Sequence, residues 1–495
     1  MNIQLPSHEE IHAAFNEGEA AVFVLFDKAA QQLVELAEQL KKQAELIKEL
    51  QAKAAKNSRN SSKPPSSDGY GKANKTESLR EKSERSNGGQ PGHAGSTLET
   101  VESPDHSENH DPDQCKNCHA ALDAVEVSRV EERQVFDIPA IRIEVTAHRA
   151  TVKQCPCCGT ENIGDFPETV TQPVQYGDVV KTWAAYFSNQ HFIPVERTAQ
   201  IFKDLVGHAP SEATVLKASQ ELETRLEPAR QSVKEQLQQA AVLQVDETGL
   251  RVKGKLNWLH SASTDKLTDY TVHEKRGKEA MVAAGILDNF TGTLGHDHWK
   301  TYFSFEQCTH SLCNAHHLRE LSYIEKQYGQ PWAAAMAALL IDIKDEVEKT
   351  APDSDHLPAE TIQLYEQRYD ALVSQGLQDN PYQAADSPQG AAKKRGRPKQ
   401  TPAYNLLTRF RDFKPETLAF MYDFSIPFDN NLAERDIRMV KVKQKVSGGF
   451  RTTEGAQRFA TIRGYISTAR KNSVSVFDAI KDAFSGNPFI PQTQA

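Results

Sequence analysis

Three carboxylates, far apart along the chain, could together do one kind of chemistry. Asp246 lies in AVLQVDETGLRV, Asp297 in GHDHWKTY, and Glu434 in FDNNLAERDIRMVKVKQK. Mg²⁺ (or Mn²⁺) is a hard ion that takes oxygen ligands. Two such ions about 4 Å apart can activate an attacking hydroxyl and stabilise the leaving oxygen of an in-line phosphoryl displacement. Without metal, clustered carboxylates repel one another and a phosphate; with two ions, the site attracts a scissile phosphodiester. Arg435, Arg438, Lys441, Lys443 and Lys445 would then hold the strand electrostatically. Taken alone, Glu434 reads as an ordinary i, i+4 ion pair with Arg438, and only the two aspartates argue for more.

These side chains need elements to bring them together. AVLQVDETGLRV alternates with period two, Lys253-Gly254 makes a turn, and LNWLHSAS and LTDYTVHE follow as strands. GKEAMVAAGIL reads as a short helix, and a fourth strand, Gly292 to Gly295, ends at His296-Asp297-His298. Three antiparallel strands, a helix and a further strand follow the order of an RNase H-like core, in which strands one and four are neighbours and Asp246 meets Asp297. Downstream, Ala433, Ile437 and Val440 form an apolar stripe, which leaves Glu434, Arg438, Lys441 and Lys445 on an adjacent face of the same helix. Asn430 or Asp429 can cap its start.

Cys115-x-x-Cys118 and Cys155-x-x-Cys158 can each form a tight turn, and two such knuckles can present four thiolates to zinc. Cys157 is a fifth thiol that fits the spacing less well. Strand-like alternation over Val125–Val130 and Ile141–Val152 predicts a zinc-ribbon-like module. Cys313-x-x-His316, with Cys308, His310 and His317 nearby, reads as a packing element rather than a second zinc site. His296 and His298 could orient Asp297, contact phosphate or simply be structural.

Leu33, Leu36, Leu40, Ile47 and Leu50 fall on heptad a and d positions, which predicts a coiled coil over Phe23–Lys56 and a homo-oligomer. Pro194 to Leu205, a Gly207-His208-Ala209-Pro210 turn and a helix capped by Ser211 resemble a helix-turn-helix. The second helix is acidic, so a structural helical pair is equally compatible. Lys393-Lys394-Arg395-Gly396-Arg397-Pro398-Lys399 resembles an AT-hook, whose Arg395, Arg397 and Lys399 would enter an A·T minor groove.

The expected architecture is multidomain α+β. It comprises an N-terminal coiled-coil region (1–56), a disordered linker (57–94), the zinc-ribbon-like module (95–170) and a helical region that is a helix-turn-helix candidate for DNA binding (171–240). An RNase H-like core follows (241–302), then a large helical insertion with the AT-hook-like loop (303–425), the helix of Glu434 with a basic C-terminal region (426–475), and a tail (476–495).

The formal charge of −9 argues against a polyanion partner only until it is located. Residues 95–170 hold 6 Lys/Arg and 15 Asp/Glu, whereas residues 391–471 hold 18 and 7, a local +11. DNA is therefore expected at the C-terminal region, and the acidic module is left for protein contacts or a few base contacts. No run approaches the ~18 apolar residues of a membrane span, and the acidic N-terminus lacks the basic start of a signal peptide, so a cytoplasmic, nucleoid-associated protein is expected.

On these marks the chain resembles the DDE-type transposases of insertion-sequence family sixty-six. They are the zipper-like helix, NSRNSSKPPSSD, GGQPGH, the two CxxC pairs, VDET, GHDHWKTY, CNAHHLREL and PFDNNLAERDIR. The resemblance implies that Asp246, Asp297 and Glu434 are the catalytic triad. It further implies that the protein cuts the terminal inverted repeats of its own element and joins the freed 3′-hydroxyls to target DNA, with small accessory proteins encoded beside it. The alternatives are a metal-dependent nuclease that cuts without joining and a catalytically silent DNA-binding regulator.

Overall fold

The computed structural model describes residues 6–56, 98–383 and 398–492. The predicted linker and the Arg395 and Arg397 of the AT-hook-like segment lie outside the described residues; Lys399 is described and exposed. Contacts divide the chain into two compact units, one of residues 73–173 and 199–210, the other of the remainder.

The larger unit begins with α1 (His8–Glu17) and α2 (Glu19–Ala55). Helix α1 has a complete capping box, in which Ser7 Oγ accepts from the Glu10 amide while Glu10 accepts from the Ser7 amide. Helix α2 runs unbroken for 37 residues, about 55 Å at 1.5 Å per residue. Leu33, Leu40, Ile47 and Leu50 on its heptad seam are all more than half exposed.

The smaller unit holds both cysteine pairs and one short hairpin, β1 (Val152–Gln154) with β2 (Glu161–Ile163). The strands expected between the knuckles are not formed. Val127, Val130, Val135 and Val145 are exposed, so the alternating segments have neither a paired edge nor a face to bury.

Helices α3 (Asp178–Ala185), α4 (Val195–Val206), α5 (Glu212–Arg225) and α6 (Glu227–Gln238) follow. Gly207, at φ +70°, makes the turn after α4, and Ser211 caps α5 by accepting from the Thr214 amide. Within the larger unit α5 buries Val215, Ala218 and Leu222, and its Glu221 and Glu223 pair with Lys181 and Arg458. One face of α5 is thus used for packing.

The sheet comprises β3 (Val242–Val252), β4 (Lys255–Ser263), β5 (Thr268–His273), β6 (Thr293–His296) and β7 (Thr309–Leu312), with α7 (Lys278–Ala283) between β5 and β6. Strand order is β5-β4-β3-β6-β7, and only β4 runs against the others. This mixed sheet is consistent with an RNase H-like core. The fifth strand lies inside the segment expected to open the insertion: Thr309–Leu312 complete the sheet. THSL is too short to show periodicity, and its partner β6 is distant only in sequence space.

Helix α8 (Asn314–Tyr328) leaves β7 directly. It packs with α9 (Pro331–Thr350), α10 (Ala359–Asp379), α11 (Pro402–Asp412), α12 (Lys414–Thr417) and α13 (Ala419–Tyr422) around Trp332, Met336, Tyr369, Leu407 and Phe410. Helix α14 (Asn431–Ser447) carries Glu434 and buries Ala433, Ile437 and Val440, the stripe expected from the sequence. Helix α15 (Thr453–Lys471) lies against β5, where a Cβ on Gly464 would sit 3.1 Å from the Thr268 carbonyl, so a side chain there would force helix and strand apart. The segment expected as a tail instead forms α16 (Val476–Phe484), whose Ile480, Ala483 and Phe484 are buried.

Candidate active site

Strand pairing brings the first two carboxylates together. Val242 pairs with Thr293 and Gln244 with Gly295 in the parallel β3–β6 ladder, so two residues further on Asp246 lies level with Asp297. Neighbouring strands are about 4.8 Å apart, close enough for the two charges to oppose each other. Burial, followed by the carboxylates of Glu247, Asp297 and Glu434, holds the Asp246 carboxyl well above its usual range. Asp297 is likewise raised, chiefly by burial. Each is fixed by a backbone amide: Glu247 N–H donates to Asp246 Oδ1 (2.8 Å) and Trp299 N–H to Asp297 Oδ1 (2.9 Å).

Glu434 reaches this sheet edge because the chain before α14 is latched to it. Asn430 Nδ2 donates to the Val245 carbonyl (2.7 Å), Gln244 Nε2 donates to the Asp429 carbonyl (2.8 Å), and Asn430 N–H donates to Cys313 Sγ (3.1 Å). Asn430 is the N-cap residue, yet its side chain serves the strand and not the helix; Asp429 accepts from the Asn431 amide (2.9 Å). Of the two expected capping side chains, Asp429 thus meets a first-turn amide, and Asn430 ties the helix to the sheet. Two residues past Glu434, Asp436 accepts from Lys471 Nζ (2.7 Å), Ser263 Oγ (2.9 Å) and Thr268 Oγ1 (3.3 Å), which anchors the other side of the helix.

Glu434 faces two guanidinium groups and an imidazole that burial keeps neutral. Arg319 Nη2 lies 3.4 Å from Oε1, His316 Nδ1 3.5 Å from Oε1, and Arg438 Nη2 3.9 Å from Oε2. Cys313, His316 and Glu434 are the one set of three potential ligands whose atoms lie within 4.8 Å of one another among the described residues. Burial pushes the Cys313 thiol up to about 12, and its Sγ accepts the Asn430 amide, which ties the start of α8 to the chain before α14.

Divalent cations fit the donor set of Asp246, Asp297 and Glu434. All three offer oxygen, and two of them retain protons above their normal range when no cation neutralises them.

A second buried carboxylate went unnoticed in the sequence. Glu247, raised to about 7 chiefly by burial, accepts two hydrogen bonds from Arg276 (2.8 and 2.5 Å) and one from Tyr302 (2.5 Å). The Arg276 guanidinium is stacked between Trp258 (4.8 Å) and Trp299 (4.1 Å), the residue whose amide holds Asp297. VDET could have flagged Glu247 only as the residue next to Asp246. His296 and His298 prove to be packed side chains, against Tyr302 and His310 and against Phe303 and Phe413 respectively.

The row of cations on α14 divides in two. Arg435, Arg438 and Lys445 are exposed. Lys441 donates to the Gly249 carbonyl, and Lys443 donates to the Gly448 carbonyl (2.9 Å) and lies 3.9 Å over the Phe450 ring. Burial lowers both ammonium groups, Lys443 to about 8. These two lysines therefore brace the helix, a correction to the expectation that they hold a strand.

The two cysteine knuckles form separately. Cys115 N–H donates to the Ala120 carbonyl and His119 N–H to the Cys115 carbonyl (both 2.9 Å); Cys155 N–H donates to Thr160 (2.8 Å) and Gly159 N–H to Cys155 (2.9 Å). His119 and Gly159 take the same left-handed position, at φ +59° and +73°. Backbone amides of Cys118 and Asn117 lower the Cys115 thiol, and the Thr160 hydroxyl and amide lower Cys158, which suits metal-binding thiolates. Each pair fits zinc, but the four thiols are not gathered into one set, because no paired strands bridge the knuckles.

Residues 173–458 match the model of a family described as "Transposase IS66 family". Residues 112–159 match "zinc-finger binding domain of transposase IS66", and residues 4–99 match a family of unknown function. No curated protein matches the chain.

Proposed function

Because the chain belongs to the IS66 family of transposases, we propose that Asp246, Asp297 and Glu434 form the active site of metal-dependent DNA cleavage and strand transfer. The level register of Asp246 and Asp297, with Asn430 tying the Glu434 helix to the same strand, carries this reading. Two divalent cations bound to these carboxylates supply activation of the attacking hydroxyl and stabilisation of the leaving oxygen. The protein contributes rigidity. Asp246 and Asp297 are fixed by strand register and backbone amides, Glu434 by the ties on both sides of α14. Water attacks the phosphodiester at the element end, and the released 3′-hydroxyl then attacks target DNA at the same site.

Arg435, Arg438 and Lys445 form the exposed cationic rim for DNA, with Arg395, Arg397 and Lys399 as a second contact in a minor groove. Cys115, Cys118, Cys155 and Cys158 would hold a structural zinc, whose binding would draw the two knuckles together. The apolar seam of α2 pairs with the same helix of a second copy, since a row of half-exposed leucines at heptad spacing is otherwise left in water. Purified protein, Mg²⁺, a labelled element-end duplex and a target plasmid test the catalytic reading. Joined product is expected; nicked ends without joining would assign a nuclease, and bound but unaltered DNA would assign a silent regulator.

A further inference from the structure

On α8, His316 and Arg319 are one turn apart and both face Glu434. Arg409 cannot serve there, because it is paired with Glu320, and Arg438 is 72% exposed and more distant at 3.9 Å. Arg319 is different. It is only 23% exposed, its contact to Glu434 is long at 3.4 Å, and its Nε is buried without a hydrogen-bond partner. A guanidinium carries five N–H donors, so this one has donors to spare.

The backbones on either side cannot move apart freely. Asn430 N–H donates to Cys313 Sγ and Asn314 N–H to the Phe428 carbonyl (both 3.1 Å), so the start of α8 is tied to the segment leading into α14. Any exchange of partners at Glu434 must therefore be a side-chain event. If Glu434 turns to a cation beside Asp246 and Asp297, Arg319 is left as a mostly buried, unpaired charge, which is costly unless another anion replaces the carboxylate. The anion brought to this place by the substrate is a phosphate oxygen, and arginine matches it bidentately.

We propose that Arg319 is a phosphate-binding residue that masks Glu434 until DNA arrives, releasing Glu434 to the metal as it takes up a phosphate oxygen. This inference rests on the carboxylate-site reading above. Its consequence is reciprocal coupling: DNA tightens metal binding, and metal tightens DNA binding, by the same factor.

The test is the affinity of zinc-loaded full-length protein for Mn²⁺, measured by electron paramagnetic resonance of free ion, with and without an element-end duplex. For the unaltered protein, DNA should tighten Mn²⁺ binding about tenfold. Arg319→Gln should bind Mn²⁺ about tenfold more tightly without DNA, lose the effect of DNA, and join ends at least tenfold more slowly at saturating metal. Arg319→Lys, which keeps the charge but loses the fork, should retain the mask and restore joining only in part. Unchanged or weaker Mn²⁺ binding by Arg319→Gln, or joining at the normal rate, would overturn the proposal. Asp246→Asn and Glu434→Gln separate the two claims: if neither weakens Mn²⁺ binding, the carboxylate site itself is wrong, whatever Arg319 does.

Discussion

Replacing Asp246 by Asn should make the metal-free protein more stable, although the residue lies at the heart of the proposed site. Asp246 and Asp297 are level on neighbouring strands. At a separation of about 5 Å and an effective dielectric of about 20, two carboxylates repel by about 3 kcal/mol. Asparagine keeps the shape and can still accept the Glu247 amide. At roughly 2 °C per kcal/mol for a large domain, Asp246→Asn should melt about 6 °C higher at pH 8 in EDTA. The sign follows from linkage. The folded-state carboxyl of Asp246 is raised, so its ionisation removes stability as pH climbs from the unfolded value, about 3.9, through the folded one. The advantage of the variant should therefore vanish near pH 4 and grow to a plateau at higher pH. Mg²⁺ at about 1,000 times its dissociation constant should reverse the order, because it then stabilises the unaltered protein by about 4.1 kcal/mol and the variant lacks a ligand. Trp183, Trp258, Trp299 and Trp332 all lie in the larger unit, so tryptophan fluorescence reports its melting. Equal melting of the two proteins at pH 8 in EDTA, or equal gains with Mg²⁺, would refute the clustered-carboxylate reasoning.

Asn430→Ala removes the donor to the Val245 carbonyl and should cost about 1–3 kcal/mol in urea unfolding, with joining slowed more than DNA binding; an unchanged joining rate would separate the latch from catalysis. Asp436→Ala removes the carboxylate partner of Lys471, which keeps only the Thr264 and Leu267 carbonyls, and should destabilise by about 1.5–3 kcal/mol, measured by the same unfolding curves. Combined Cys115→Ser and Cys155→Ser should abolish bound zinc in elemental analysis, and full retention would move the site elsewhere. Leu40→Asp with Ile47→Asp should reduce the mass seen by analytical ultracentrifugation to that of the monomer, if α2 is the contact between copies.

Much of the catalytic unit could be read in the sequence because its signals are local. Alternation around Asp246, the Lys253-Gly254 turn at φ +50° and +74°, and the apolar stripe beside Glu434 each correspond to an element in the fold. What could not be read depends on partners remote in sequence. The strand THSL is defined by its neighbour β6, and Asn430 looked like a cap until Val245 claimed its amide. Lys441 matched an exposed cationic row by spacing and Lys443 flanked it, but Gly249 and Gly448 carbonyls draw them back to the protein. Glu247 and Arg319 carried no signal, since a buried acid or arginine is recognised only by what surrounds it. Alternation misled between the knuckles, where Val135 and Val145 have nothing to pack against.

The central claim is that Asp246, Asp297 and Glu434 form one metal site, and anomalous scattering from Mn²⁺ in crystals of the protein with an element-end duplex tests it most directly. Two manganese peaks among these three carboxylates are expected, with Arg319 turned from Glu434 to a phosphate. A single peak on Cys313, His316 and Glu434, or none near Asp246 and Asp297, would contradict it.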